Sequence, residues 1–291
     1  MFLHWSWFAV AAFELNDRTA RYSGFIWNVA EYLAIFVIVL MHEYGHALAC
    51  RQVGGTANRI VLWPLGGVAY VNPPQRPGAT LWSIAAGPLV NVALVPIFFA
   101  VVRMGRLAGM PEMMPNSFAL LRSLYVINFG LLLFNLLPIY PLDGGQILRS
   151  LLWYVLGRAR SLMAATVLGF AGVVGLIALA VWLEEIWFAV ISVFILLNCW
   201  QGLRRAMALS RIAKLPRREG YACPSCRAAP PTGPIWVCAK CTNAFDTFES
   251  QAVCPLCRTQ FPATACFDCG MAHPIGQWAA PGAAVAPALR A

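Results

Sequence analysis

Residues 32–50 read YLAIFVIVLMHEYGHALAC, an apolar run that continues without a break into two histidines and a glutamate. On a helix His42 and His46 are four apart and share one face. Two imidazoles at that spacing can hold one Zn²⁺, with Glu43 beside them as a general base. Ionisable groups inside an apolar span are costly and are kept for function. Two of the four histidines of the chain fall here.

The setting of this run decides the fold class. The chain has 291 residues, 60% hydrophobic and 11% charged. Soluble domains carry about a quarter charged residues, so one ordinary soluble enzyme is excluded, and so is a disordered chain. Apolar segments at 25–49, 79–102, 118–140, 162–183 and 186–203 have spanning length. Phe2–Phe13 is shorter, and reads either as a first span or as an interfacial helix with Trp5 and Trp7 at headgroup level. Counting it gives about six spans.

The net charge is +9. In a soluble protein that would raise nucleic acid as a partner; here it marks the loops that stay inside. Arg51, Arg59 and Arg76 follow the second span, and Arg149, Arg158 and Arg160 follow the fourth. Arg204, Arg205, Arg211, Lys214, Arg217 and Arg218 follow the last, while Glu184–Glu185 lies on the other side. By the positive-inside rule both termini are cytoplasmic, as an even span count also requires. The start, MFLHWSWFAVAAFELN, lacks the basic region of a cleavable signal peptide.

Two histidines leave a tetrahedral zinc one protein ligand short. The candidate lies 97 residues past His46, in NLLPIYPLDGG (135–145). Pro138 and Pro141 are expected to break the fourth span, and Asp143–Gly144–Gly145 to turn the chain and present a carboxylate at membrane depth. Between the second and third spans, IVLWPLGGVAYV (60–71) places a Gly-Gly turn between β-prone flanks, the signature of a hairpin. The C-terminal part carries four CxxC pairs: Cys223/Cys226, Cys238/Cys241, Cys254/Cys257 and Cys266/Cys269. Their spacing reads as two Cys₄ zinc ribbons. The simple pairing joins the first pair to the second and the third to the fourth. A cross-braced arrangement, first with third and second with fourth, is the alternative.

HEYGH together with Asn135-x-x-Pro138-x-x-x-Leu142-Asp143-Gly144 resembles the site-2 protease family of intramembrane zinc metalloproteases, its sporulation-factor-processing branch most closely. Gly87-Pro88-Leu89-Val90-Asn91 is similar to that family's G-x-x-x-N element, and Pro64-Leu65-Gly66-Gly67-Val68-Ala69 to its loop downstream of HExxH. The resemblance covers about residues 1–203. It implies a catalytic zinc held by His42, His46 and Asp143, with Glu43 as base and Asn91 and Asn135 binding substrate backbone or oxyanion. Asn128 and Asn198, outside any motif, read as hydrogen-bonding glue between helices. It also implies that the hairpin edge pairs with a locally unwound substrate.

The expectation is thus an all-α polytopic membrane protein of about six transmembrane helices with a small membrane-associated β-hairpin and a small C-terminal zinc-ribbon β domain. Residues 1–203 form the membrane metalloprotease domain, 204–222 a basic linker, 223–273 the two ribbons and 274–291 a disordered tail. One catalytic and two structural Zn²⁺ are expected. The expected partners are single-span membrane protein substrates, the lipid bilayer of a bacterial inner or cell membrane, and a cytosolic protein recognised by the ribbons; nucleic acid is disfavoured. The competing reading is an inactive scaffold of the same fold that binds membrane partners through the ribbons. A HExxH-plus-Glu metalloprotease ranks behind both, because Glu184 and Glu185, the available carboxylates, sit on the opposite side.

Overall fold

The structure, a computed structural model, describes residues 2–3, 22–63 and 66–278; residues 2–3, 59–63 and 66–70 are described by their backbone. Five helices among the described residues are long and apolar enough to cross a membrane: α1 (Phe25–Gln52), α2 (Pro77–Leu107), α3 (Pro115–Leu136), α4 (Asp143–Leu183) and α5 (Ile186–Ala213). They match the five full-length apolar segments of the sequence. In each, only 22–33% of the most apolar stretch is buried inside the bundle. Leu33, Val37, Leu89, Phe99, Val174 and Val181 stand on the faces left outside. A surface of that size and polarity is stable in hydrocarbon, and the chain is an integral membrane protein. Of the shorter segment Phe2–Phe13, Phe2 and Leu3 are a strand, β1, and residues 4–13 lie outside the described residues.

The expected hairpin forms from β2 (Thr56–Trp63) and β3 (Gly66–Asn72), antiparallel, with Thr56 opposite Asn72 and Trp63 opposite Gly66. β1 runs parallel to β2, with Phe2 beside Val61 and Leu3 beside Leu62. The Gly-Gly pair does not make the turn. Gly66 and Gly67 are already paired within β3, and the connection falls at residues 64–65, outside the described residues.

The fourth apolar segment breaks where the prolines require. α3 stops at Leu136, and Tyr140–Pro141 is a cis peptide. Asp143, however, does not sit in a turn: it is the first residue of α4, and Gly144 and Gly145 lie in its first helical turn. The turn is made one step earlier, where the Leu142 amide bonds the Ile139 carbonyl at 2.8 Å. The glycines are there for space. A Cβ on Gly144 would strike the Leu136 and Leu137 carbonyls, and one on Gly145 the Ile139–Tyr140 backbone. α4 itself is two helical arms joined at Gly157, whose φ of 78° and ψ of 172° suit glycine and no other residue comfortably. The first arm, 143–156, lies between the site and the basic end of the bundle, and the second crosses back.

The stretch 204–222 divides. α5 continues through it to Ala213, and Arg217 and Arg218 already belong to the ribbon domain, paired with Asp268 at 2.8 Å and Asp246 at 2.6 Å. At the other end, Ile275–Trp278 form a 3₁₀ turn, and Trp278 is buried against Phe248 in the ribbon core. The ribbon domain therefore runs to Trp278 rather than His273, and the rest of the tail expected to be disordered, 279–291, lies outside the described residues.

Each CxxC forms the same knuckle. The amide four residues after the first cysteine donates to that cysteine's carbonyl, in Arg227, Thr242, Arg258 and Gly270 alike, at 2.8–2.9 Å. All four of those residues have φ between 57° and 73°. The knuckles do not combine as neighbours. Cys223 and Cys226 meet Cys266 and Cys269, while Cys238 and Cys241 meet Cys254 and Cys257. This corrects both the sequential and the cross-braced pairing: the second ribbon is inserted inside the first. β4 (Trp236–Val237) with β5 (Ala244–Phe245) brackets the second knuckle, and β6 (Thr264–Ala265) with β7 (Ala272–His273) the fourth. Packing between knuckles sets the pairing: Phe245 stacks on Phe261 in the inner pair, and Phe248 and Trp278 pack with Cys223, Cys266 and Cys269 in the outer one. Closest Sγ–Sγ distances are 3.5–3.8 Å. A tetrahedron with Zn–S bonds of about 2.3 Å has edges of about 3.8 Å, so four thiolates fit zinc in each cluster. The Thr259 hydroxyl and amide also hold the Cys257 thiol down to about 6, in the thiolate form that binds metal.

Nesting has a measurable consequence. Replacing Cys223 and Cys269 together by serine removes ligands from one cluster, so the full chain should lose one zinc equivalent and keep the inner one. Under sequential or cross-braced pairing the same double change damages both clusters. Metal analysis of the purified variant distinguishes them.

Candidate active site

α1 carries His42, Glu43 and His46 on its buried face; the three are 4%, 5% and 6% exposed. α2 runs antiparallel against it, and the register explains the G-x-x-x-N element. One helical turn separates His42 from His46, and one turn separates Gly87 from Asn91, so the two pairs face each other in reverse order. The His42 Nδ1–H donates to Asn91 Oδ1 at 2.5 Å. One turn along, the His46 Nδ1–H donates to the Ser83 carbonyl at 2.9 Å. Gly87 makes room for the His46 ring, because a Cβ there would collide with the imidazole. Gly45 lets the two helices approach, its Cβ position being 2.7 Å from the Ala86 carbonyl oxygen.

With Nδ1 of each ring committed to an acceptor, the Nε2 lone pairs are free to turn inward. His42 Nε2 and His46 Nε2 are 3.2 Å apart. Asp143 Oδ2, brought up at the start of α4, is 3.1 Å from the first and 3.4 Å from the second. Three atoms so spaced share a point about 1.9 Å from each in their plane, and about 2.0–2.1 Å from each just above it, the length of Zn–N and Zn–O bonds. The donor set and its geometry fit one zinc with a fourth position open. Hydrogen bonds to the outer nitrogens are the usual support of metal-bound histidines.

Not every expected role is found where it was placed. Asn91 is fully buried, and both ends of its amide are used within the protein: Oδ1 accepts from His42, and Nδ2 donates to Asn128 Oδ1 at 2.8 Å. Its amide is therefore turned to His42 and Asn128. Asn128, read as helix glue, is that glue with a purpose: its own Nδ2 donates to the Asn91 carbonyl at 3.1 Å, locking α3 to the amide that holds His42. Asn135 is half-buried on the last turn of α3 with no hydrogen bond among the described residues, so its amide is available. The contribution of Ser83 is a backbone carbonyl, which no motif announces.

The support from Asn91 can be measured. Asn91→Ala should weaken zinc at the membrane site by about 10–100-fold. Chelator competition on the full chain reads this directly, and Asn198→Ala, whose side chain bonds the Phe194 carbonyl of its own helix, should change nothing.

A His-His-Asp triangle with an adjacent glutamate, carried by the two membrane helices α1 and α4, fits the class of membrane-embedded metal-dependent hydrolases. Comparison with known proteins gives the same answer. The model of peptidase family M50 matches residues 30–116 and 104–179, just over half of the chain. The chain belongs to peptidase family M50, the site-2 protease family. It is 32% identical to zinc metalloprotease MJ0392 of Methanocaldococcus jannaschii over 50% of this chain and 41% of that protein. It is 29% identical to putative zinc metalloprotease sll0528 of Synechocystis over 60% of this chain and 47% of that protein. Stage IV sporulation protein FB of Bacillus subtilis is 34% identical over 40% and 38% respectively. The solved site-2 protease from M. jannaschii superposes with a TM-score of 0.51 at 25% identity, over 69% of this chain and 89% of that one. The chain spans less than half the length of these curated relatives.

Proposed function

We propose that this protein is an intramembrane zinc endopeptidase that hydrolyses peptide bonds within or beside the transmembrane segments of single-span membrane proteins. The observation that carries the reading is the triangle of His42 Nε2, His46 Nε2 and Asp143 Oδ2, with sides of 3.1–3.4 Å, next to the buried carboxylate of Glu43. When bound there, zinc supplies a Lewis acid that acidifies water and polarises a carbonyl. Glu43 takes the proton from the attacking water and returns one to the leaving amine. Asn91 and Ser83 fix the imidazoles, so no reorganisation is needed at the moment of reaction. The half-buried amide of Asn135 is free to bind the substrate backbone.

A helical substrate has its carbonyls tied up and must unwind before it is cut. β3 has a free outer edge among the described residues, since β2 lies between it and β1. Strand addition at that edge holds an unwound segment by its backbone. The cluster of arginines and Lys214 at one end of the bundle supports the reading that both termini are cytoplasmic. The His42–His46 turn then sits roughly 8–14 Å below that boundary, because Arg51 follows five residues later at about 1.5 Å per residue.

Zinc analysis of the detergent-purified full chain tests the site. Wild type should hold one equivalent beyond the ribbon zinc, and Asp143→Asn should lose that equivalent and the ability to cleave single-span reporters. Retention of full zinc and cleavage by Asp143→Asn would remove Asp143 from the site.

A further inference from the structure

A second site lies at the basic end of the bundle. A cleft of about 310 Å³ opens where the Gly157 break in α4, the last turns of α5 and the outer ribbon meet. One wall is apolar: Trp153, Leu156, Leu209 and Ile212. The other carries three guanidiniums, Arg158, Arg160 and Arg217, against a single carboxylate, Asp268. Asp268 is already taken by Arg217, which it grips through both oxygens at 2.8 and 3.3 Å. Arg160 is exposed and has no ion pair among the described residues. Arg158 spends its terminal nitrogens on the Phe267 carbonyl, at 2.6 Å, and on Gln75 Oε1, at 2.9 Å, while its Nε is buried without a partner. Arg149 stands on the same indole as Arg158, their guanidinium carbons 5.7 and 5.9 Å from the Trp153 ring centre. The cleft thus combines uncompensated positive charge, an orphaned buried donor and an apolar floor.

Its depth identifies the ligand. Trp153 is ten residues along the helix from Asp143, roughly 15 Å at the helical rise, which puts it a few ångströms beyond the hydrocarbon edge. Leu209 is 23 residues into α5, roughly 35 Å from the other end, against a hydrocarbon thickness of about 30 Å. Both estimates place the cleft in the headgroup layer. A cleft of this size accepts a headgroup and not a whole lipid, and basic pockets between transmembrane helices at that level suit anionic lipid. We propose that the cleft binds the phosphate headgroup of an anionic phospholipid, with its chains running down the outer surface of α4 and α5, and that this lipid bridges the membrane domain to the outer ribbon. The proposal does not depend on the protease reading.

The test uses the detergent-purified full chain with added phosphatidylglycerol, phosphatidylcholine or inorganic phosphate. Bound lipid is counted by native mass spectrometry, and the thermal unfolding midpoint is followed in parallel. Wild type should retain phosphatidylglycerol in preference and be stabilised by it, and by neither of the others. Arg160→Gln, which breaks no hydrogen bond or ion pair among the described residues, should lower that affinity about fivefold. Leu209→Trp, which fills the cleft, should abolish the preference while leaving the lipid-free midpoint unchanged. Arg211→Gln, equally basic but outside the cleft, should behave as wild type. Equal loss in Arg160→Gln and Arg211→Gln would overturn the site in favour of diffuse attraction. Equal binding of phosphatidylcholine would remove the headgroup charge from the account, and stabilisation by inorganic phosphate alone would overturn the lipid as source.

Discussion

Glu43→Gln is expected to leave zinc bound and to stop peptide hydrolysis, lowering the cleavage rate by at least about 10²–10⁴-fold. The substitution keeps the volume of the side chain and removes only its basicity. Glu43 is 5% exposed, beside the metal triangle and not part of it. None of the three ligand atoms belongs to it, so the affinity for zinc should change little. The measurement pairs the cleavage rate of a single-span reporter with zinc content on the same preparation. A rate within about tenfold of wild type would take the general base away from Glu43.

The second large effect comes from a residue that touches no substrate. Gly87→Ala should empty the membrane zinc site. A Cβ at position 87 lands on the His46 imidazole, and that ring has nowhere to go. Its Nδ1 is held by the Ser83 carbonyl at 2.9 Å on one side. Widening the gap between α1 and α2 would break that bond and the one from His42 Nδ1 to Asn91 Oδ1, so it too would cost the site its support. One methyl group therefore displaces a metal ligand, and activity should fall by about 10² or more, as when a ligand or its support is removed. The full chain should keep its ribbon zinc, and Val92→Ala, exposed on the same helix, should keep everything. A Gly87→Ala protein with wild-type zinc and wild-type cleavage would contradict the register on which the site is built.

Much of this was legible in the residues. Spans are read from composition, because bilayer thickness fixes their length, and HEYGH and LDG contain the His42, His46 and Asp143 that the structure brings together. What escaped has physical reasons. The G-x-x-x-N element announces a spacing, but the task of Asn91 depends on which helix lies opposite and in which direction, and a single chain does not display that. Local composition marked Asp143-Gly144-Gly145 as a turn, whereas tertiary contact made the glycines the first turn of a helix pressed onto the Leu136–Tyr140 backbone. The four cysteine knuckles are locally identical, so nothing within them selects a partner. The nested pairing is decided by packing between knuckles: Phe245 stacks on Phe261 in the inner pair, and Phe248 and Trp278 pack with Cys223, Cys266 and Cys269 in the outer one. Residues 204–222 read as a basic linker, yet α5 runs on to Ala213 and Arg217 and Arg218 find carboxylates in the ribbon.

The most direct test of the central claim is to map where a substrate is cut. The zinc-loaded full chain is reconstituted with a single-span reporter, and the new termini are sequenced by mass spectrometry. The account predicts cleavage within or beside the transmembrane segment, near the face that carries the basic loops, abolished by Glu43→Gln and by chelator and restored by zinc. Binding of the reporter with no cut by well-folded, zinc-loaded wild type, or cuts confined to the reporter's soluble parts, would contradict it and leave the scaffold reading in its place.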